Sequence, residues 1–215
     1  MKIHSRCRWL PFILGLSVLA PAKALPARQG RTNAEMQLTV DASTTYQTIE
    51  GFGASAAWWA QEVGGWEDVR EDIADLLFDP ERGIGLSIIR YNIGAGDGEN
   101  IRDVWRRTET FEVAPGEYDW NRDTNAIWMM RAAQARGVEH VVAFANSPPA
   151  RMTISGLTTG EKEGGSNLRP EMVESFAQYL IDIVRHLRED EGIPVTWISP
   201  INEPQWEWHH ENGQE

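Results

Sequence analysis

The sequence predicts an α/β fold built on a parallel sheet. Apolar, β-rich runs recur at residues 49–54, 86–92, 138–144 and 195–201. Segments with helical spacing lie between them, at residues 66–78, 121–136 and 170–190. The run L-S-I-I-R-Y-N at 86–92 is nearly continuous rather than alternating, as expected of a strand covered on both faces. Strands that alternate with helices form parallel sheets. A doubly wound sheet and a (β/α)8 barrel both satisfy this order.

Each element has a local reason. Residues 25–35 are polar, with Pro, Gly and Asn, and read as a flexible start. Residues 36–40 alternate and read as a strand. In 49–54, Gly51 and Gly53 mark a close backbone approach or a bulge. Val69, Ile73, Leu76 and Leu77 give 66–78 its helical face, and Asp79-Pro80 stops it. Gly137 follows the helix at 121–136. Residues 155–169 are rich in Gly, Ser and Thr and read as a long loop. Pro170 opens the next helix, with Met172, Val173, Phe176, Leu180, Ile181, Val184 and Leu187 on one stripe and Gly192 beyond its end. Gly94-Ala95-Gly96 lacks the third glycine and the helix start of a dinucleotide fingerprint.

Composition narrows the function. In 215 residues, 41% are apolar and 24% charged, which excludes wholesale disorder. A single Cys excludes a disulfide framework and a Cys-based zinc site. A net charge of −12 argues against a nucleic-acid binder, which needs a basic face. Lys2, Arg6 and Arg8 precede a short apolar run at 9–20 and an A-x-A site at 22–24. This reads as a secretory signal peptide cleaved after Ala24. The run is too short for a bilayer, which takes about 20 apolar residues, so no membrane span is expected in the mature chain. Cleavage removes Lys2, Arg6, Arg8 and Lys23, leaving 16 basic against 32 acidic residues, a net charge of −16. It also removes Cys7, which fits a secreted or periplasmic destination.

The chemistry gathers where the apolar strands stop. In α/β barrels the sites lie at the carboxyl ends of strands. One strand ends in Arg90-Tyr91-Asn92, with Asp97 close behind; another ends in Asn146-Ser147-Pro148-Pro149. The last ends in Asn202-Glu203-Pro204, then Gln205-Trp206-Glu207-Trp208. A carboxylate beside an amide and two indoles suits sugar chemistry. Trp206 and Trp208 can stack on pyranose C–H faces. Asn202 can bond a ring hydroxyl, and Glu203 can trade a proton with a glycosidic oxygen. A guanidinium in an apolar strand needs an anionic or carbonyl partner, so Arg90 either sits in an internal ion pair or orients a catalytic carboxylate. Trp58 with Trp59 can wall a cleft or serve as packing. Trp105, Trp120, Trp128 and Trp197 read as structural. The adjacent His209 and His210 lack metal-ligand spacing, and no metal or cofactor is expected.

These residues lie in stretches that resemble glycoside hydrolase family 30, most closely its endo-β-1,6-galactanase-like members. The stretches are I-E-G-F-G-A-S (49–55), G-L-S-I-I-R-Y-N-I-G-A-G-D (85–97), Y-D-W (118–120), A-R-G-V (135–138), N-S-P-P (146–149) and S-P-I-N-E-P-Q-W-E-W (199–208). The resemblance implies a (β/α)8 barrel over residues 49–215, with 36–48 contributing a strand to a side β-sandwich. It implies a retaining O-glycosyl hydrolase acting on a β-linked polysaccharide, with Glu203 as acid/base. Asn202 would bond the sugar 2-hydroxyl, Arg90 would support the nucleophile, Asp97 would bind hydroxyls in the cleavage subsite, and Asn146 would face substrate. Phe144-Ala145 stands where glucosylceramidase-like members carry a tryptophan, which argues against that substrate. The aromatic that many members carry near Ala150-Arg151 is missing too, and with it one sugar contact. The family nucleophile follows the seventh barrel strand, whereas this chain supplies four, so an N-terminal fragment, inactive alone, is expected. Alternatives are a β-1,4-xylanase or β-glucosidase of the same family, or a non-catalytic carbohydrate-binding or degenerate hydrolase.

Overall fold

The computed structural model describes residues 38–96, 98, 101–160 and 162–209. The chain divides into two units at Gln47 and Thr48. In the first, described residues 38–47 contain no helix or strand. Asp41 there accepts bonds from the backbone N–H and hydroxyl of Ser43, at 2.9 and 2.6 Å. The strand expected at 36–40 is therefore not formed at 38–40: a ladder needs a partner, and no described segment pairs with it. Residues 36 and 37, the signal segment and the flexible start lie outside the described residues.

The second unit is built on four parallel strands, β1 (Gly53–Ser55), β2 (Ile88–Ile93), β5 (His140–Ala145) and β6 (Val195–Ser199), in the order β1-β2-β5-β6. Each strand neighbours the next one in the chain, without the reversal of a doubly wound sheet. This is the winding of a (β/α)8 barrel and favours that architecture of the two that the sequence left open. Gly53 shows why glycine stands in β1. A Cβ there would lie 2.5 Å from the Ile88 carbonyl oxygen.

Helices connect the strands. After β1 come α1 (Trp59–Val63) and α2 (Arg70–Phe78). Asp79 ends α2 in an extended conformation, as a residue before proline must. A small hairpin, β3 (Glu112–Ala114) and β4 (Glu117–Tyr118), precedes α3 (Thr124–Ala135). The short α1 and this hairpin were not foreseen, although Pro115-Gly116 is a turn signal and Gly116 takes φ +74°. The loop at 155–169 forms as expected, and α4 (Val173–Glu189) follows one short helical turn at Pro170–Met172.

Alternation along the strands sorts the two faces. Ile89, Tyr91, Ile93, Val141, Ala143 and Ala145 join the helices in one buried core. Its helical side includes Met129, Met130 and Ala133 of α3, and Phe176, Tyr179, Ile183 and Leu187 of α4. Each such large side chain stabilises by about 1.5–3 kcal/mol on full burial. The buried stripe of α4 is rotated from the expected one. Tyr179 and Ile183 face the core, while Val173 and Ile181 are half exposed. Ile181 and Val184 instead line an open groove with Ile198 of β6, rimmed by Arg185, Arg188 and Glu189. The opposite face of the sheet carries Arg90, Asn92 and Phe144. No helix among the described residues is long and apolar enough to cross a membrane.

Candidate active site

Three strands each deliver one polar side chain to the carboxyl end of the sheet. Arg90 lies within β2, Asn146 directly follows β5, and Asn202 follows β6 by three residues. They meet in a chain of hydrogen bonds. Arg90 donates through Nη2 to Asn202 Oδ1 at 2.9 Å. Asn202 donates through Nδ2 to Asn146 Oδ1 at 2.8 Å. Since a guanidinium only donates, Arg90 fixes which end of the Asn202 amide is oxygen.

Arg90 lies over the Phe144 ring, its guanidinium carbon 3.2 Å from the ring centroid. Such a cation–π contact suits a partly desolvated cation. Burial pulls the Arg90 pKa below its ordinary value, and the negative charge of Glu203 opposes that pull. Among the described residues Arg90 forms no salt bridge. The internal ion pair considered from the sequence is replaced by an amide, a ring and the field of Glu203.

Glu203 itself is exposed beside this relay. Its backbone is unusual: φ is +43°, a region that non-glycine residues rarely adopt. Its carbonyl oxygen accepts from the Trp206 N–H at 2.9 Å and from Trp208 Nε1 at 3.2 Å. Trp206 is 61% exposed and presents a free ring face, whereas Trp208 is half-buried.

Next to this turn lies a cavity of about 370 Å3. Asn146 and Asn202 contribute to one wall and Trp206 and Trp208 to another. The Gly/Ser/Thr loop supplies the rest, including Thr159, Gly160 and Asn167. Composition marked these residues only as loop, yet Thr158, Thr159 and Gly160 are buried. His209 ties the two walls, donating through Nδ1 to the Lys162 carbonyl at 3.0 Å. The ring is thus engaged by backbone. Arg151, near the position where many family members carry an aromatic, pairs in two-pronged fashion with buried Glu112 of the hairpin.

Trp58 belongs to a different cluster. Its ring meets Trp105 edge-on at 5.7 Å, and the Arg106 guanidinium lies over both rings at 4.5 and 4.6 Å. Trp105, read as structural, is 47% exposed. Trp120, by contrast, stacks between Tyr118 and His186 as packing. Asp97 and His210 lie outside the described residues.

Residues 35–215 match the family described as O-glycosyl hydrolase family 30. An endo-β-1,6-galactanase of Hypocrea rufa is 29% identical over 92% of this chain and 46% of its own length. A conserved exported protein from Bacteroides fragilis superposes with a TM-score of 0.75 at 37% identity, over 82% of this chain and 38% of that one. The catalytic domain of xylanase C from Talaromyces cellulolyticus gives a TM-score of 0.53 at 26% identity, over 78% and 39%. The chain thus spans less than half of each of these relatives. With the matched segment covering most of its length, the chain belongs to glycoside hydrolase family 30.

Proposed function

We propose that this chain carries the acid/base half of a retaining β-glycosidase, secreted and acting most readily on β-1,6-linked galactan. The observation that carries this reading is the Arg90–Asn202–Asn146 relay, which side chains from three neighbouring strands and their ends build beside exposed Glu203. The Hypocrea relative names the linkage.

The chemistry follows from the parts. Glu203 as an acid protonates the departing glycosidic oxygen while a second carboxylate attacks the anomeric carbon. Glu203 as a base then deprotonates the water that hydrolyses the glycosyl-enzyme, and configuration is retained. The second carboxylate must stand about 5–5.5 Å from the first, and by family resemblance it follows the seventh barrel strand, beyond residue 215. Arg90 spends one N–H on Asn202 and keeps others for that carboxylate. Asn202 bonds Asn146 through one N–H and offers the other to a sugar hydroxyl. Trp206 supplies a flat platform and Asp97 a hydroxyl-binding carboxylate.

Open sheet edges support the fragment reading. β1 is exposed along its length, and Trp197 and Ile198 of β6 are 43% and 44% exposed. Four further βα units would cover both edges and close the sheet. The 215-residue chain alone is then expected to self-associate and to cleave nothing; a monomeric, cooperatively melting chain with galactanase activity would contradict this.

The test of function is product analysis with the protein from the complete reading frame. β-1,6-galactan should be cleaved internally, with xylan and gluco-oligosaccharides spared. Preferential xylan cleavage would favour the xylanase reading, which the Talaromyces neighbour motivates. Tight galactan binding without cleavage would favour a degenerate, carbohydrate-binding protein.

A further inference from the structure

We propose that Trp208 is a positioning residue for Glu203, acting through its indole N–H, rather than a sugar-stacking platform. The proposal rests on the reading of Glu203 as the acid/base. Its starting point is the Glu203 backbone, at φ +43°. That left-handed conformation is unfavourable for an L-residue, whose Cβ crowds the following carbonyl oxygen. The following Pro204 adds to the conflict, since it steers the preceding residue toward extended geometry. Glu203 left to itself would relax, and its carboxyl would swing away from the relay.

Two donors oppose that relaxation. The Trp206 amide and the Trp208 indole together fill both lone pairs of the Glu203 carbonyl. The Trp208 backbone is held in turn by the neighbouring loop. Gly160, at φ +100°, packs so closely that a Cβ would lie 2.6 Å from the Trp208 carbonyl oxygen. His209 anchors the next residue to the Lys162 carbonyl at 3.0 Å. A carbonyl only accepts, so His209 carries its proton on Nδ1. The loop after β5 therefore braces Trp208, and Trp208 braces Glu203. The two tryptophans divide the work: Trp206 is exposed and free to stack, while Trp208 is half-buried and spends its N–H on backbone.

Kinetics of the protein from the complete reading frame separate the two roles. Trp208→Phe keeps an aromatic ring and removes the donor. It should lower kcat about ten-fold, the worth of one hydrogen bond, with KM within about two-fold. Trp206→Phe should act mainly on KM. A raised KM with kcat preserved in Trp208→Phe would make Trp208 a platform and overturn the proposal. If that variant does not fold, His209→Ala serves instead, with a smaller kcat loss in the same direction. A readout independent of activity is solvent exchange of the 15N-labelled indoles. The Trp208 N–H should exchange more slowly than that of Trp206; equal rates would refute the hydrogen bond. Full activity in Glu203→Gln would remove the acid/base reading itself, and the positioning role with it. A dead Glu203→Gln beside a Trp208→Phe with unchanged kcat would remove the positioning role alone.

Discussion

At the amino ends of the strands, Arg136 sits between Asp75 at 2.6 Å and Glu71 at 2.7 Å. Arg82 also pairs with Asp75, and with Asp79 at 3.1 Å. Burial works against the Arg136 charge, but its bonds to Glu71 and Asp75 win and raise its pKa. At the carboxyl ends, Arg90 has an amide, a phenyl ring and no salt bridge among the described residues, and its pKa falls. One end closes its charges on one another, between α2 and the turns that lead into β2 and β5. The other keeps a guanidinium unsaturated and a carboxylate exposed. Saturated ion pairs fasten a fold; unsaturated polar groups aimed at one place are what a polar substrate can use.

The contrast breaks most sharply at Glu203. Glu203→Gln should lower kcat by about 10²–10⁴-fold on unactivated galactan, with an unchanged Tm. Arg90→Lys keeps the charge but loses the planar fork, and should cost about 10²-fold in kcat/KM. At the base, the order of effects inverts. Arg136→Ala should leave kcat within about two-fold and cost about 2 kcal/mol of stability. In a protein about twice this length that corresponds to a Tm lower by roughly 2–4 °C, measurable by calorimetry.

The smallest effect concerns pH. The backbone N–H groups of Glu81 and Arg82 hold the Asp79 carboxyl below its ordinary value of 3.8. A depressed carboxyl contributes stability above its unfolded pKa and loses it as pH falls through the folded value. Asp79→Asn should therefore slightly flatten the decline of Tm below pH 4. Asp79 is partly exposed and lies at the end of α2, away from the site, so a large change there would contradict its peripheral role.

Much of this was legible because it depends on local pattern. The apolar runs that became β2, β5 and β6 announce themselves by length, and Asn202-Glu203 stands out because polar residues follow a buried strand. What was hidden depends on tertiary contact. The rotation of α4 follows from the hydroxyl of Tyr179, which bonds the Gly94 carbonyl at 2.7 Å and draws its side of the helix inward. The role of the 155–169 loop depends on Gly160 meeting Trp208, some fifty residues later in the chain. His209 looked like a metal candidate to be dismissed, and its partner is a backbone carbonyl that no spacing rule reveals. The hairpin was readable from Pro115-Gly116, but its purpose, to present Glu112 to Arg151, was not.

The central claim is that Glu203 is the acid/base of a retaining site. It is tested most directly by Glu203→Ala, in the protein from the complete reading frame, acting on an activated aryl β-galactoside with and without azide. The glycosyl-enzyme should still form, since a good leaving group needs no acid, and azide should then occupy the space vacated by the carboxylate. The expected result is rate recovery with a β-galactosyl azide product, configuration retained. An α-galactosyl azide would make Glu203 the nucleophile, and no response to azide beside undiminished hydrolysis would remove it from the chemistry.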